Sequence, residues 1–127
     1  MNDYIEQNCS CMGYNLDKML QPAILTCLFR QDLHGFSLIR ELGRSPMCKG
    51  TEPDKTGVYR YLNKMEKQGL LTSRWDMEGD HGKPRRIFSI TEKGRGCLAT
   101  WYVILKQYSE DLDALIGVMG NAVGFID

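Results

Sequence analysis

The 127-residue sequence predicts a single domain of the α+β class that is mainly helical. Apolar residues recur at helical spacing in four segments, and two runs rich in aromatic and β-branched residues flank a glycine-containing turn. No apolar stretch reaches the roughly 20 residues of a membrane-spanning helix. Hydrophobic residues make up 43% of the chain and charged residues 25%, which is typical of a globular protein with one core.

The first two helices are predicted from apolar residues spaced three and four apart. Residues 16–28 carry such a face, and residues 36–43 carry a second, shorter one. Because proline fits only the first turn of a regular helix, the first helix either begins near Gln21 or bends at Pro22. Residues 44–54 show no helical period and include prolines, which predicts a loop.

The third helix is predicted to begin at Pro53 or Asp54 and to end at Gly69. A proline in the first turn and a glycine after the last turn are typical of helix ends. One face of this helix is apolar, whereas the other face is rich in cations and hydrogen-bond donors. The positions that it offers to a partner are Thr56, Gly57, Tyr59, Arg60, Asn63, Lys64 and Lys67.

A β-hairpin is predicted from residues 70–76 and 86–90, which flank a turn at residues 78–83. Pro84 fits an edge or a position near the hairpin tip. Cations cluster beside it, and they are Lys83, Arg85 and Arg86. Three short helices followed by a cationic hairpin are the layout of a winged helix-turn-helix with a two-stranded wing.

A long last helix is predicted to start after the capping residue Thr91 and to act in dimerisation. Its apolar residues alternate spacings of three and four over about three heptads, which favours a partner helix. The predicted interface residues are Leu98, Trp101, Leu105, Tyr108, Leu112, Leu115 and Met119. The alternative is that this stripe folds onto the chain's own core. The predicted division is a flexible segment 1–14, a winged-helix domain 15–95, a dimerisation helix 96–119 and a tail 120–127.

The zero net charge of the chain hides an asymmetry. Residues 30–95 carry 14 Lys and Arg against 9 Asp and Glu, whereas the flanks carry 2 against 7. A positive middle favours an anionic partner, although chance could also produce this partition. A helix about 10–12 Å across fits a DNA major groove about 12 Å wide, where Arg60 suits a guanine edge and Asn63 an adenine edge. We therefore predict that the third helix and the wing bind double-stranded DNA.

Four short motifs in the region 20–119 carry a family resemblance. They are His34-Gly35-Phe36, Thr56-Gly57-Val58-Tyr59-x-x-Leu62, Glu66-Lys67-Gln68-Gly69-Leu70 and Thr91-Glu92-Lys93-Gly94. Together they resemble the PadR family of bacterial and archaeal transcription regulators. This chain departs from the family's usual Gly-Thr-x-Tyr at the start of the third helix, and it has Phe88 where the family usually has tyrosine.

The resemblance implies a homodimer, joined through the last helix and the first, that binds a palindromic operator and usually represses transcription. Some members of the family bind flat aromatic or drug-like compounds at the dimer interface, where a tryptophan of the last helix provides a stacking surface. Trp101 stands at such a position and is the candidate effector site. The alternative is that Trp101 only packs in the interface.

Other functions find less support in the sequence. The five cysteines are an odd number and predict reduced thiols, and Cys9 and Cys11 lack the second pair that a structural zinc site needs. A thiol- or metal-responsive regulator using these two residues remains an alternative, as does a winged-helix protein-interaction adaptor. We expect neither a metal nor another cofactor. Without a paired nucleophile and base or a phosphate-binding loop, we expect no enzyme. The N-terminal residues show no secretion signal, which predicts a cytoplasmic protein without a membrane partner.

Overall fold

The computed structural model describes residues 16–45, 52–77 and 82–125. Within these ranges the helices are α1 (Leu16–Arg30), α2 (Gly35–Gly43), α3 (Lys55–Lys67) and α4 (Glu92–Val123). The strands are β1 (Leu33–His34), β2 (Leu71–Asp76) and β3 (Arg85–Ile90). The predicted fold class is confirmed, because a mainly helical chain carries a small antiparallel sheet and a long C-terminal helix. The predicted segment 1–14, with Cys9 and Cys11, lies outside the described residues.

The hydrophobic core lies where α1, α2 and α3 meet the sheet. Phe88 of β3 is completely buried at its centre. Strand β2 contributes Leu71, and the helices contribute the other large, fully buried side chains, which are Ile24, Leu25, Leu28, Leu38, Leu42, Val58, Leu62 and Met65. Burial of each such side chain contributes about 1.5–3 kcal/mol to the free energy of folding. This core fixes the side of α3 that faces inward and therefore the side that faces solvent.

The sheet has the strand order β1-β3-β2, and both pairings are antiparallel. Phe88 of β3 stands opposite Ser73 on one side and opposite Leu33 on the other. The hairpin formed by β2 and β3 is the predicted wing. The short strand β1 was not predicted, because two residues are too few to show an alternating pattern.

Helix α1 runs without interruption through Pro22, so a start near Gln21 is wrong. Proline lacks the N–H that would bond to the preceding turn. One local hydrogen bond on this stretch is donated by the Thr26 hydroxyl to the Pro22 carbonyl over 2.8 Å. The helical period that begins at Leu16 therefore predicted the start of α1 better than the proline rule did.

The ends of α4 are closed by local hydrogen bonds. The Thr91 hydroxyl accepts from the Gly94 N–H over 3.0 Å, which confirms the predicted cap. At the other end Gly124 adopts φ +81°, and the Phe125 N–H donates to the Gly120 carbonyl over 2.9 Å. The helix thus continues past its predicted end at residue 119, and residues 120–123 are helical. No helix in the described part of the chain combines the length and apolar character needed to cross a bilayer.

Candidate nucleic-acid interface

Helix α3 turns one face to the core and the opposite face to solvent. Val58, Leu62 and Met65 are buried on the inner face. The outer side chains are exposed, and they are Thr56, Arg60, Asn63, Lys64 and Lys67. Within the described residues these side chains stay open to solvent, and the wing contacts Asn63 through Arg86. The predicted DNA-binding face is therefore a continuous, cationic and accessible surface.

The N-terminal end of α3 is held by a side-chain cap. The Asp54 carboxylate accepts from the Gly57 N–H over 2.8 Å, as is typical of an aspartate N-cap. Just beyond the cap, the outer face forms a shallow depression of about 630 Å³. Its lining residues are Lys55, Thr56, Tyr59, Arg60 and Asn63. The fold thus brings together most of the predicted contact residues of the helix.

Tyr59 differs from the other predicted contact residues because its ring is half-buried. Its hydroxyl lies against Gly35 at the start of α2, where a β-carbon would overlap the hydroxyl oxygen. The ring is tilted by 60° against Phe88, with the ring centroids 6.4 Å apart. Tyr59 therefore joins α3 to α2 and the sheet while it also lines the depression.

Arg86 of the wing reaches back to α3. Its Nη2 lies 2.5 Å from Glu66 Oε1, its Nη1 donates to Asn63 Oδ1 over 3.0 Å, and its Nε donates to Ser73 Oγ over 3.0 Å. The guanidinium also lies 4.9 Å from the centre of the Phe88 ring. Sequence reasoning missed Glu66, although it is the only acidic residue of α3.

The rest of the wing combines cations with exposed apolar side chains. Lys83 is exposed, and Arg85 is half-buried opposite Asp76 in the register. Arg74 is exposed and donates to Asp32 over 3.2 Å. Trp75, which was not predicted as a site residue, is 64% exposed on β2. The wing therefore presents Lys83, Arg74 and an aromatic ring to solvent.

The predicted interface stripe of α4 divides into two parts. Leu98 and Trp101 are half-buried against the chain's own core. For these two residues the structure agrees with the alternative prediction, in which the stripe folds onto that core. The remaining large side chains lie beyond that core. Leu105 is half-buried, and Tyr108, Leu112, Leu115 and Met119 are exposed. The C-terminal half of α4 therefore projects from the domain with its apolar stripe uncovered by the described residues.

Trp101 lies at the contact between α4 and α1. Its indole Nε1–H donates to Gln21 Oε1 over 2.9 Å. The ring helps to line a groove of about 350 Å³, together with residues that include Pro22, Leu98 and Leu105. Among the described residues, no three His, Cys, Asp or Glu side chains are grouped so that they could hold a metal ion.

The model of the transcriptional regulator PadR-like family matches residues 24–100, which is more than half of the chain. The chain belongs to this family. The resemblance seen in four short motifs is thereby confirmed, and the PadR-like proteins are DNA-binding transcription regulators. No curated protein matches the chain.

Solved PadR structures share the fold described above. A PadR family regulator from Eggerthella lenta is 26% identical, with a TM-score of 0.65 over 87% of this chain and 97% of that one. A PadR-like regulator from Bacillus cereus is 21% identical, with a TM-score of 0.68 over 80% of this chain and 94% of that one. PadR of Bacillus subtilis, crystallised with operator DNA, is 21% identical, with a TM-score of 0.57 over 67% of this chain and 46% of that one.

Proposed function

We propose that this PadR-like chain is a homodimeric repressor that binds a palindromic operator. Helix α3 of each subunit enters one of two successive major grooves, about 34 Å apart, and each wing contacts the adjoining backbone. The observation that carries the proposal is the uncovered cationic face of α3 on the side opposite the core. The operator complex of the Bacillus subtilis relative supports it.

The contacts are assigned by side-chain chemistry. Arg60 and Asn63 read base edges, and Gly57 allows the backbone to approach the duplex closely. Phosphates are contacted by Thr56, Tyr59, Lys64, Lys67, Lys83 and Arg85. Arg86 acts mainly through Asn63, whose amide it orients by the 3.0 Å hydrogen bond to Oδ1.

The homodimer is proposed to form through the C-terminal half of α4. This helix of 32 residues is about 48 Å long, and only its first turns pack on the domain. Large apolar residues are exposed on the remainder, among them Leu112, Leu115 and Met119. Their heptad spacing fits a second copy of the same helix, which would remove them from water.

An effector site is proposed at the groove beside Trp101. The groove volume of about 350 Å³ lies in the range of roughly 300–1,000 Å³ that small ligands occupy. A flat aromatic compound fits the indole face and the apolar lining. Titration of planar ligands should change Trp101 fluorescence and operator affinity, and the Trp75→Phe variant removes the second tryptophan signal. If neither quantity changes, the effector site is refuted while DNA binding stands.

The experiment that tests the proposed function is footprinting and binding on the promoter fragment upstream of the chain's own gene. We expect a protected palindrome, bound at moderate salt in the presence of excess random duplex. If excess random duplex abolishes binding to the promoter fragment, the result would contradict an operator-specific regulator and favour the protein-interaction adaptor. A regulator of chromosomal DNA would act in the cytoplasm, which is the location we propose.

A further inference from the structure

The C-terminal end of α3 is bound to the N-terminal end of α4. Lys93 Nζ donates to the Gln68 carbonyl over 2.8 Å, and the Thr91 hydroxyl donates to the Gly69 carbonyl over 2.6 Å. The Thr91 N–H donates to the Leu70 carbonyl over 3.1 Å. Gln68 caps α3, and Gly69 and Leu70 lie in the turn that follows it. The end of α3 is therefore tied to the start of α4 through this turn.

Gly94 makes this junction tight. It is the buried residue of α4, and a β-carbon there would overlap the Leu70 carbonyl oxygen and lie 2.8 Å from Ile90 Cγ1. Because this contact leaves no free space, one backbone segment cannot move without displacing the other. Movement of α4 is therefore passed to Leu70, in the turn that follows α3.

Gln21 of α1 reaches the same junction from the other side. Its Nε2 donates to Gln68 Oε1 over 3.4 Å, and its Oε1 accepts from the Trp101 indole N–H over 2.9 Å. The same oxygen lies 3.9 Å from Cys97 Sγ. Gln68 directly follows the last residue of α3. One side chain thus connects the tryptophan of α4 to the end of the helix that faces DNA.

We propose that Gln21 is a positioning residue that couples the state of Trp101 to DNA binding by α3. The inference rests on the proposed DNA-binding function. A ligand or partner subunit that shifts the indole changes the hydrogen bond to Gln21 Oε1, and the amide then changes its bond to Gln68. Because coupling between two sites is reciprocal, DNA binding at α3 must also alter the environment of the Trp101 N–H.

A mutant cycle on operator affinity tests this connection. Gln21→Met removes both hydrogen-bonding groups at similar length, and Trp101→Phe removes the indole N–H. We expect each variant to change the operator Kd by about three- to tenfold, and the double variant to change it no more than Gln21→Met alone. The matched control is Gln107→Met, which removes an exposed amide bonded to Asp111. Its effect should be additive with that of Trp101→Phe.

A spectroscopic readout separates coupling from simple stabilisation. In the full-length protein, added operator should shift the indole N–H resonance of Trp101 in the wild type and in Gln107→Met. The shift should be lost in Gln21→Met and in Gln68→Met, which breaks the connection from the other end. Gln21→Glu keeps the acceptor for the indole but has no N–H to donate to Gln68 Oε1, so the shift should be lost in this variant as well. A role in stability alone would lower Tm and leave the shift intact.

The outcomes distinguish this inference from the proposed function. If the wild type shows no operator preference, the proposed function fails and the coupling fails with it. If the wild type binds its operator but the Trp101 resonance does not respond, the coupling alone is overturned. The same holds if Gln21→Met and Trp101→Phe act additively, or if the response persists in both Gln21→Met and Gln68→Met.

Discussion

The guanidinium of Arg86 and the carboxylate of Glu66 form an ion pair that joins the wing to α3, with Nη2 2.5 Å from Oε1. The two side chains are about one-third exposed or less. Neighbouring polar groups extend the pair, because Asn63 and Ser73 also accept from Arg86. The orientation of the wing relative to α3 is therefore fixed by side chains and not only by the strand pairing.

Arg86→Ala should destabilise the fold by about 1–3 kcal/mol, because it leaves the partly buried Glu66 carboxylate without its cation. Lys83→Ala is the matched control, since Lys83 is an exposed cation of the same wing and should change stability by less than about 0.5 kcal/mol. Urea unfolding of both variants measures the difference. Equal stabilities would show that the ion pair does not hold the wing.

Gly35→Ala should destabilise the fold by about 1–3 kcal/mol, because its β-carbon would overlap the Tyr59 hydroxyl. Removal of that hydroxyl by Tyr59→Phe should recover part of the loss, so the two substitutions should be non-additive. Gly96→Ala is the control at an open helical position and should stabilise by about 0.5–1 kcal/mol. Thermal unfolding that finds Gly35→Ala as stable as the wild type would contradict this packing.

Leu112→Lys should convert the dimer to a monomer. Leu112 lies in the uncovered stripe of α4, and a buried unpaired ammonium is unfavourable at an apolar interface. Gln107→Lys adds the same charge at an exposed position on the opposite side of the helix and should leave the dimer intact. Sedimentation at micromolar concentration distinguishes the two states. A dimeric Leu112→Lys protein would place the subunit contact elsewhere.

Lys67→Ala should weaken binding to operator and random duplex alike and should lower the salt slope of binding by about one unit. The physical reason is the loss of one phosphate contact together with its released counterion. Lys106→Ala removes an exposed cation of α4 and should leave the slope unchanged. A binding titration over a series of salt concentrations measures both slopes. A slope for Lys67→Ala that is as steep as that of the control, or steeper, would count against the phosphate contact.

The elements of this fold were predictable where their cause is local. The start of α3 close to Asp54, the apolar period of α3 and the start of α4 after Thr91 depend on residues within a few positions of each other. Strand β1 was not predictable in this way, because its two residues are extended by pairing with β3. The end of α4 was missed because Gly117 and Gly120 stay helical, and the left-handed conformation that ends this helix is adopted at Gly124.

The outer face of α3 was predictable for the same reason, since helical geometry alone places Arg60 and Lys67 opposite the core. The contacts that organise this face were not. Arg86 and Glu66 lie 20 residues apart, and their meeting depends on how the hairpin folds against α3. The contact between Tyr59 and Gly35 likewise arises from tertiary packing.

The central claim is that the outer face of α3 reads DNA sequence, and Arg60→Ala tests it most directly. The Kd of the wild type and the variant should be measured on the footprinted operator, on operators substituted at single positions and on random duplex. The account predicts a loss of about 1–3 kcal/mol on the operator, relaxed preference at one base position and little change on random duplex. Equal losses on operator and random duplex, or no loss on either, would contradict it.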